Sequence, residues 1–447
     1  MKEKLMECVK KTLEILEKKD LAGDVYGIRQ KNLRYSIKKG EISDSSEFEE
    51  IGIGIRVIKN GKIGFGYTTP GEEEKAIKRA EELSNISPKL EIDLPEKDAV
   101  SKVKTYDNSI ENIILEEEGG ELSQKVIEGA EQVNEKIIPS RGGVTFISES
   151  KVIGNTNDIL LKEKHSGVLL GMMVTLPGAD TSITASESRY SRKKDLDFLE
   201  VGKSAGDKVM SLENKSNIPQ KEVPVVLNQD AFSMLLWFGL VPPVNGENVR
   251  KGKSIYEGMI GDKVASESVD IIDDPTQDWG PGSGAFDDEG VKSIKNPIIE
   301  DGILKNFMYD LKEASKSNTE TTGNGTRASF KDQPNISDRN MVVRGRDLSK
   351  EKLMPQKGIL VDGVMGAHTL NPSSGDFSVV ANPAWRIENG EKKGRLEGCM
   401  ISGNIHEVLK SMELGKDYKK IRTGIGSRSI KMDLPSTRMN DVTISGK

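Results

Sequence analysis

The sequence predicts an α+β fold made of two domains: an α/β N-terminal domain over residues 1–215 and a β-rich C-terminal domain over residues 222–447. A length of 447 residues suits two or three domains. The first half alternates helical and strand patterns. After the linker SLENKSNIPQKE the chain changes to short strands, glycine turns and long polar loops.

The chain begins with a predicted helix over residues 3–19, where four apolar residues recur at helical spacing. They are Leu5, Val9, Leu13 and Leu16. Two strand candidates follow, over residues 24–29 and 33–38. The stretch IGIGIRVIKNGKIGFGYTT then predicts a hairpin, because Asn60-Gly61 joins two β-rich arms and readily adopts the positive φ angles of a tight turn.

Helices and strands also alternate through the rest of the N-terminal half. In order, the predicted elements are a helix over 71–85, a proline-containing spacer around 88–95, a helical stretch over 110–136 that Gly119-Gly120 interrupts, strands over 142–190 and an amphipathic helix near 195–213. The helix over 71–85 carries acids in its first turn, where the helix dipole favours them.

The C-terminal half contains few helical patterns. The exceptions cover residues 229–238 and 404–413. Two further hairpins are predicted at Asp301-Gly302 and Asn389-Gly390.

Composition and charge exclude several classes of protein. The longest mostly apolar run, residues 231–244, is well short of the ~20 residues that a membrane-spanning helix needs. The N-terminal MKEKLMECVKK lacks the apolar region of a signal peptide, so we expect a cytoplasmic protein with no membrane segment. The net charge of −6 argues against nucleic acid as a partner. Short basic clusters such as RYSRKK (189–194) are interpreted as solvated surface.

The chain has only three histidines and two cysteines, so few residues are available for a catalytic nucleophile with its base or for binding zinc. No pair of histidines lies within one helical turn, as a histidine zinc motif requires. His165 follows a charged run and is predicted to lie on a strand at the surface. His406 begins a helix, where a surface or packing role is expected. Cys399 alternates with strand residues and is interpreted as a buried structural thiol.

Acids cluster at Asp273 and Asp274 and again over residues 287–289. Both clusters adjoin Pro or Gly, where acids usually cap turns by accepting hydrogen bonds from backbone N–H groups. The alternative is a site for a hard cation. The stretch TTGNGTRASF (321–330) has glycines that could cradle a phosphate, although it lacks the lysine of a P-loop.

Several stretches together resemble the TldD/PmbA family, also called modulators of DNA gyrase. The stretch GIGIRVIKNGKIGFGYTT is similar to the N-terminal hairpin of that family. The similar blocks of the second half are, in order, SGAFDDEGV, IIEDGILKNFMYDLKEASK, TTGNGTRASF, NPSSGDFSVVANPAWRIENGE and EGCMISGNIHEVLKSM. The resemblance covers nearly the whole chain and implies the two-domain fold above, with dimers formed through the C-terminal domain. The gyrase label is treated as a genetic association.

The resemblance also implies a chemistry. The TldD branch of the family is a zinc peptidase for short or unfolded peptides. Its metal is bound by a His-Glu-x-x-x-His motif and by a cysteine in a glycine-rich segment near the C-terminus. The PmbA branch, also called TldE, lacks these ligands and pairs with TldD.

This chain resembles the PmbA branch at the ligand positions. Counting back without gaps from VRKGKS assigns Trp237 and Phe238 to the first histidine and the glutamate, and Pro242 to the second histidine. None of these rings offers a lone pair to zinc, and Phe238 cannot accept a proton from a metal-bound water. The terminal segment GIGSRSIKMDLPSTRMNDVTISG holds no cysteine, since none follows Cys399. We therefore expect no catalytic residue, metal ligand or cofactor in this chain, and zinc only in a TldD-type partner.

The run HTLNPSSGDFSVV resembles a family block that lines the cleft near the metal of the active branch. His368 lacks metal partners, and Asp376 is interpreted as fixing the turn through backbone hydrogen bonds. The residues assigned to a predicted peptide cleft are Trp237, Phe238, Pro242, His368, Asn371 and Asp376.

Three functions remain open from the sequence. The favoured one is a metal-free PmbA-type subunit that binds extended peptide beside a zinc-bearing TldD-type partner. The second is a homodimeric protein that binds peptides or a partner without catalysis. The third is an autonomous hydrolase that uses residues 287–289 and a recruited metal.

Overall fold

The computed structural model describes residues 2–178, 182–219, 222–345, 348–423 and 429–446. The strands of its first half are β1 (Ala22–Lys38), β2 (Glu41–Lys59), β3 (Lys62–Thr68), β4 (Ile138–Asn155), β5 (Leu160–Leu176) and β6 (Ile183–Ser191). They form one antiparallel sheet in the order β3-β2-β1-β4-β5-β6.

The hairpin predicted in this sheet is confirmed, whereas the prediction of two separate strands before it is wrong. Asn60-Gly61 connects β2 to β3, with φ angles of 53° and 67°. The two strands predicted over 24–29 and 33–38 are instead one strand, β1, which pairs along its length with β2. The turn that connects β1 to β2 lies at Lys39 and Gly40, both of which have positive φ angles. The pattern did not reveal the first half of β2 because residues 41–50 are mostly polar and exposed.

Five helices pack against this sheet: α1 (Lys2–Lys18), α2 (Glu73–Ile86), α3 (Asn108–Glu116), α4 (Gly119–Val133) and α5 (Phe198–Met210). Helices α1 and α2 share a core with β1 and β2 that includes Leu5, Val9, Ile55 and Ile77. Helices α3, α4 and α5 form a second core with β4 and β5. The helical stretch predicted over 110–136 is interrupted, but at Glu117, which has a φ of 57°. Gly119-Gly120, the predicted point of interruption, instead form the first turn of α4.

Short strands dominate the second half. They are β7 (Val225–Leu227), β8 (Val269–Asp273), β9 (Asn296–Glu300), β10 (Ile303–Leu304), β11 (Gly325–Thr326), β12 (Asn335–Ile336), β13 (Met341–Gly345), β14 (Lys357–Val361), β15 (Val364–Met365), β16 (Asp376–Ala381), β17 (Ala384–Glu388), β18 (Glu391–Arg395), β19 (Met400–Asn404), β20 (Glu413–Leu414), β21 (Lys419–Arg422), β22 (Lys431–Leu434), β23 (Thr437–Met439) and β24 (Thr443–Ser445). Two sheets have six strands, in the orders β10-β9-β8-β13-β22-β21 and β18-β17-β14-β7-β23-β20. A third has the order β15-β16-β19-β24, and β11 pairs with β12.

The helices of the second half are α6 (Gln229–Gly239), α7 (Gly246–Arg250), α8 (Leu311–Ser317), α9 (Lys350–Leu353) and α10 (Ile405–Ser411), with a 3-10 helix at Ala367–Thr369. The helices predicted over 229–238 and 404–413 correspond to α6 and α10. Asparagine caps begin both, since the Asn228 side chain accepts from Ala231 N at 2.9 Å and that of Asn404 accepts from His406 N at 3.0 Å. The predicted hairpins at Asp301-Gly302 and Asn389-Gly390 connect β9 to β10 and β17 to β18.

The structure therefore confirms the α+β class, with a helix-covered sheet followed by a β-rich second half. The boundary between residues 215 and 222 stays a prediction. Parts of three predicted stretches, residues 179–181, 220–221 and 424–428, lie outside the described residues. In the part of the chain that the structure describes, no helix is long and apolar enough to cross a bilayer.

Candidate functional site

Two of the predicted cleft residues form an aromatic pair at the end of α6. The rings of Trp237 and Phe238 lie 4.8 Å apart between centroids and meet edge to face at 80°. The indole N–H of Trp237 points to the carboxylate of buried Asp338, with 3.3 Å between Nε1 and Oδ1. Neither ring offers a lone pair in the plane that zinc coordination needs, so the side chains at these two positions do not fit a zinc ion.

Pro242 lies just beyond α6 and has a structural role there. Its carbonyl oxygen accepts hydrogen bonds from the Asn248 side chain at 2.8 Å and from Asn245 N at 3.3 Å. These bonds hold the turn that leads into α7. The ring of Pro242 has no donor atom for a metal either. The assignment of Trp237, Phe238 and Pro242 to the family's ligand positions rests on the gapless count and stays a prediction.

The other predicted cleft residues lie on the segment around the 3-10 helix, which contacts α6. His368 and Asn371 are exposed, and the Asn371 side chain accepts from the backbone N–H of Ser373 at 3.0 Å. Asp376 differs from the expectation, because its carboxylate accepts from the Asn404 side chain at 2.9 Å instead of from the backbone. The hydrogen bond from Asn404 lowers the pKa of Asp376. The bond connects the first residue of β16 to the last residue of β19, directly across the pair.

His406 has the packing role that the sequence allowed. It is 3% exposed, and Tyr256 Oη lies 2.8 Å from its Nδ1. Its Nε2 is buried without a hydrogen-bond partner. Burial lowers the pKa of His406 to about 4, so the ring is neutral at physiological pH and its Nδ1 forms a neutral hydrogen bond with the Tyr256 hydroxyl.

The acids at residues 287–289 lie at the contact between the two halves. Asp287 caps a turn as predicted, since its carboxylate accepts from the backbone N–H groups of Glu289, Val291 and Gly325 at 2.9 to 3.0 Å. Burial, together with the charge of Glu289, raises the pKa of Asp287 to about 7. Asp273 likewise accepts from the backbone N–H of Asn340 at 2.6 Å.

Asp288 and Glu289 have cationic partners, which the sequence did not indicate. Asp288 Oδ1 lies 3.1 Å from Lys151 Nζ, and Glu289 Oε1 lies 2.6 Å from a guanidinium nitrogen of Arg56. Arg327 of the TTGNGTRASF stretch pairs with Asp24 at 2.9 Å. Lys151, Arg56 and Asp24 belong to the N-terminal sheet, so these ion pairs join the two halves of the chain. Among the described residues no group of three or more His, Cys, Asp or Glu is arranged to hold a metal ion.

A cavity of about 170 Å³ lies beside these ion pairs, between the N-terminal sheet and the loops of the second half. Its lining comprises Tyr26, Ile28, Gln30, Glu149, Lys151, His165, Arg192, Pro281, Gly282, Asp287, Asp288, Thr326, Arg327, Ala328, Arg339, Arg422 and Lys431. The six residues of the predicted peptide cleft are not among them. Six of the lining side chains are lysine or arginine and three are carboxylates, so the wall is rich in cations.

Two surface predictions are wrong at this cavity. His165 is largely buried, with its Nε2 2.8 Å from Glu163 and its Nδ1 3.1 Å from Arg192. Arg192, from the RYSRKK cluster, is 1% exposed and donates to the carbonyl oxygens of Gly280, Pro281 and Ser283. Both residues lie on or just beyond strands that the loop around residue 281 covers. A local pattern could not reveal this burial, since Pro281 is 89 residues beyond Arg192 along the chain and still farther from His165.

Arg422 and Lys431 also line the cavity, and neither is among the site residues predicted from the sequence. A local signal existed, because basic residues lie on both sides of the glycine-containing stretch in the sequence KKIRTGIGSRSIK. Sequence patterns could not predict the cavity itself, because residues far apart along the chain line it together.

Comparison with known proteins places the chain in a family. Residues 220–446 match the PmbA/TldA metallopeptidase C-terminal domain, and residues 23–84 match PmbA/TldA metallopeptidase domain 1. A protein of Methanothermobacter thermautotrophicus named metalloprotease is 26% identical over 87% of this chain and 86% of its own length. The fold is similar to that of TldE from Thermococcus kodakarensis, with a TM-score of 0.87, 26% identity and coverage of 98% of this chain and 100% of that one. A Thermotoga maritima protein described as a modulator of a DNA gyrase also has a TM-score of 0.87, at 25% identity, and covers 98% of this chain and 99% of its own. The family matches together span well over half of the sequence, and the chain belongs to the PmbA/TldD family.

Proposed function

We propose that this chain is a PmbA (TldE)-type subunit of a TldD–TldE-like peptidase that acts on short or unfolded peptides. In that assembly it contributes to peptide binding, and a TldD-type partner carries the zinc ion and the general base.

The aromatic pair of Trp237 and Phe238 carries this proposal. The gapless count assigns these residues to positions where the active branch has a histidine ligand and a glutamate base. The single N–H group of the Trp237 indole donates a hydrogen bond to Asp338, and the side chain of Phe238 has no polar atom. A chain with this pair would depend on another subunit for a metal-activated water. The similarity in fold to TldE from Thermococcus kodakarensis supports the same role.

An exposed sheet edge supports peptide binding. Strand β15 is the outer strand of its four-stranded sheet and leads directly into the 3-10 helix of His368. Met365 on β15 is 58% exposed. The free backbone groups of an edge strand can pair with an extended peptide, and such strand addition gives affinity with little dependence on peptide sequence.

Co-expression tests the assembly. This chain would be produced with a family member that has the His-Glu-x-x-x-His motif, with the purification tag on that partner. We expect an equimolar complex that contains zinc in an amount equal to the partner and cleaves an unfolded peptide faster than the partner alone. A partner with glutamine in place of the motif glutamate is the matched control, and its complex should assemble without cleaving.

Three results would contradict the proposal. The first is failure of the two chains to associate, and the second is equal cleavage by the partner with and without this chain. The third is zinc-dependent cleavage by this chain alone, which would support the autonomous hydrolase. If the homodimer alone binds peptide with full affinity and no second subunit associates with it, the non-catalytic binding protein would be favoured.

A further inference from the structure

Two cations face each other across a pair of strands at the cavity wall. Arg422 ends β21 and Lys431 begins β22, and their Cα atoms are direct partners in the antiparallel register. Directly opposite residues have their side chains on the same face of a sheet, and like charges there repel. Both side chains line the 170 Å³ cavity. The fold therefore holds two positive charges together at one place.

Neither charge has a carboxylate within ion-pair distance among the described residues. Arg422 donates through one terminal nitrogen to Tyr190 Oη at 3.2 Å and to Pro281 O at 3.1 Å, whereas its Nε is buried without a partner. Lys431 is 8% exposed, and no hydrogen bond or ion pair to its Nζ occurs in the described part of the chain. A buried donor without an acceptor destabilises a protein, and more strongly when the donor is charged. Burial, together with the charge of Arg422, lowers the pKa of Lys431 although Asp338 opposes this.

Two of the surrounding cations, Arg192 and Arg339, likewise have no carboxylate within ion-pair distance of their guanidinium groups among the described residues, whereas Lys151 and Arg327 pair with acids. Arg192 shares the Pro281 carbonyl with Arg422 and otherwise donates to other carbonyls and to His165. The Arg339 guanidinium donates to Ser293 Oγ at 2.6 Å and to backbone carbonyls. The arginines thus present positive charge that neutral acceptors do not cancel.

Three carboxylates also line the cavity, and two of them have donors of their own. Asp288 is bound by Lys151 and by Arg327 N, and Asp287 by backbone N–H groups. Glu149 belongs to β4 of the N-terminal sheet, and no hydrogen bond to its side chain occurs among the described residues. It is the lining acid that would weaken the binding of an anion.

We propose that Arg422 and Lys431 bind an oxyanion in this cavity, namely the terminal carboxylate of a peptide. An oxyanion would accept from the unpartnered Arg422 Nε and from Lys431 Nζ together, and charge-assisted hydrogen bonds of this kind are stronger than neutral ones. A volume of 170 Å³ exceeds that of a few water molecules at ~30 Å³ each, so a carboxylate with part of a residue fits. The identity of the ligand as a peptide end rests on the proposed function, whereas the oxyanion chemistry rests on the two cations alone.

Calorimetric titration of the full chain tests the inference with three probes: penta-alanine with a free carboxylate, penta-alanine amide and inorganic phosphate. We expect the free acid to bind the natural chain at least about tenfold more tightly than the amide, the difference that one charge-assisted hydrogen bond supplies. Lys431→Met should abolish this preference, because methionine keeps the apolar stem and removes the charge. Glu149→Gln should strengthen binding of the free acid. Lys420→Met, which removes an exposed lysine from β21, the strand of Arg422, should change neither affinity.

The possible results separate the parts of the inference. Equal affinity for the free acid and the amide, or a Lys431→Met variant that keeps the preference, would overturn it while leaving the subunit assignment to the cleavage assay. Phosphate binding that Lys431→Met abolishes, without peptide binding, would support the oxyanion site and overturn the peptide end as its ligand. Binding of none of the probes would overturn both. Lys431→Met should remain folded, since replacing a buried unpaired charge by an apolar side chain of similar length does not destabilise. Its thermal midpoint, at or above that of the natural chain, verifies this.

Discussion

The indole N–H of Trp385 lies 3.1 Å from the main-chain oxygen of Ser211. Trp385 belongs to β17 of the second half, and Ser211 caps the C-terminus of α5. The Trp385 side chain is fully buried in the core that α3, α4 and α5 form with the N-terminal sheet. The β-rich half therefore supplies one of the largest side chains of the N-terminal core, and the two halves depend on each other for stability.

Truncation of Trp385 should destabilise the whole chain. Removal of a fully buried tryptophan leaves a cavity and costs about 3–5 kcal/mol, so Trp385→Ala should lower the urea midpoint strongly. Trp385→Phe should have a smaller effect, because it mainly leaves the Ser211 carbonyl without its donor, at about 1–3 kcal/mol. Phe48→Ala is the control, since Phe48 is 53% exposed. A small shift for Trp385→Ala, similar to that of the control, would show that this residue does not join the halves.

Substitution of Arg56 is predicted to lower the stability of the fold more than substitution of an ion-paired arginine at the surface. Its guanidinium is 3% exposed and pairs with Asp24 and with Glu289. Arg56→Met would leave Glu289 buried without its cation and would leave Asp24 with only its second partner, Arg327. Breaking a buried ion pair in this way typically costs about 3–5 kcal/mol. Arg29→Met is the matched control on the same sheet, because the pair of Arg29 and the half-exposed Glu49 should contribute at most ~1 kcal/mol. Equal loss of stability in the two variants, measured by urea denaturation, would contradict this prediction.

Gly52 is predicted to be required for contact between the two halves. A Cβ atom on Gly52 would lie 2.4 Å from the ring of Phe330, a residue that follows β11. Gly52→Ala should therefore cost about 1–3 kcal/mol through overpacking. Combination with Phe330→Ala should cost less than the sum of the two single changes, because the truncated side chain makes room for the methyl group. Additive costs would show that the clash is relieved by other movements.

Gly120, a helical glycine with space around it, provides the control for the Gly52 and Phe330 variants. Gly120 lies in the first turn of α4, and the nearest atom to a Cβ there is a ring carbon of Tyr35 at 3.7 Å. Gly120→Ala should keep or raise stability, since alanine is the better helix former by up to ~1 kcal/mol.

The elements that sequence patterns predicted are those with local causes. The helix α6 follows from an apolar run after the capping residue Asn228, and the turn at Asn60-Gly61 follows from residues that tolerate positive φ. The hairpin at Lys39 and Gly40 was missed because Lys39 is not a typical residue for positive φ and the strand after it is polar. The glycines of the IGIGIRV stretch are explained by a tertiary contact, since Phe330 packs directly against Gly52 and Gly54 and leaves no room for a Cβ atom.

The candidate sites also contain features that local sequence predicts and features that only tertiary contacts create. The absence of metal-binding groups at residues 237, 238 and 242 can be read directly from the residue types, given the resemblance. Burial of His165 and Arg192 could not be predicted, because the loop around residue 281 that covers them is distant in sequence. The same holds for Lys431, whose environment combines β22 with the N-terminal sheet.

His406 should make the stability of the chain depend on pH below neutrality. Burial lowers its pKa from 6.5 to about 4, so the folded state binds the proton less readily than the unfolded state. The stability from the neutral ring is thus complete above pH 6.5 and is lost as the pH falls towards 4, by up to about 3 kcal/mol for a shift of this size. The neighbouring groups that also influence it are Tyr256, Glu407, Lys410 and Asp376. In His406→Asn the amide oxygen can accept from Tyr256 without titrating, so this part of the pH dependence should disappear from urea midpoints measured between pH 4 and 7. The exposed His368→Asn change should leave it intact, and a variant of His406 that keeps the full slope would assign the dependence to other groups.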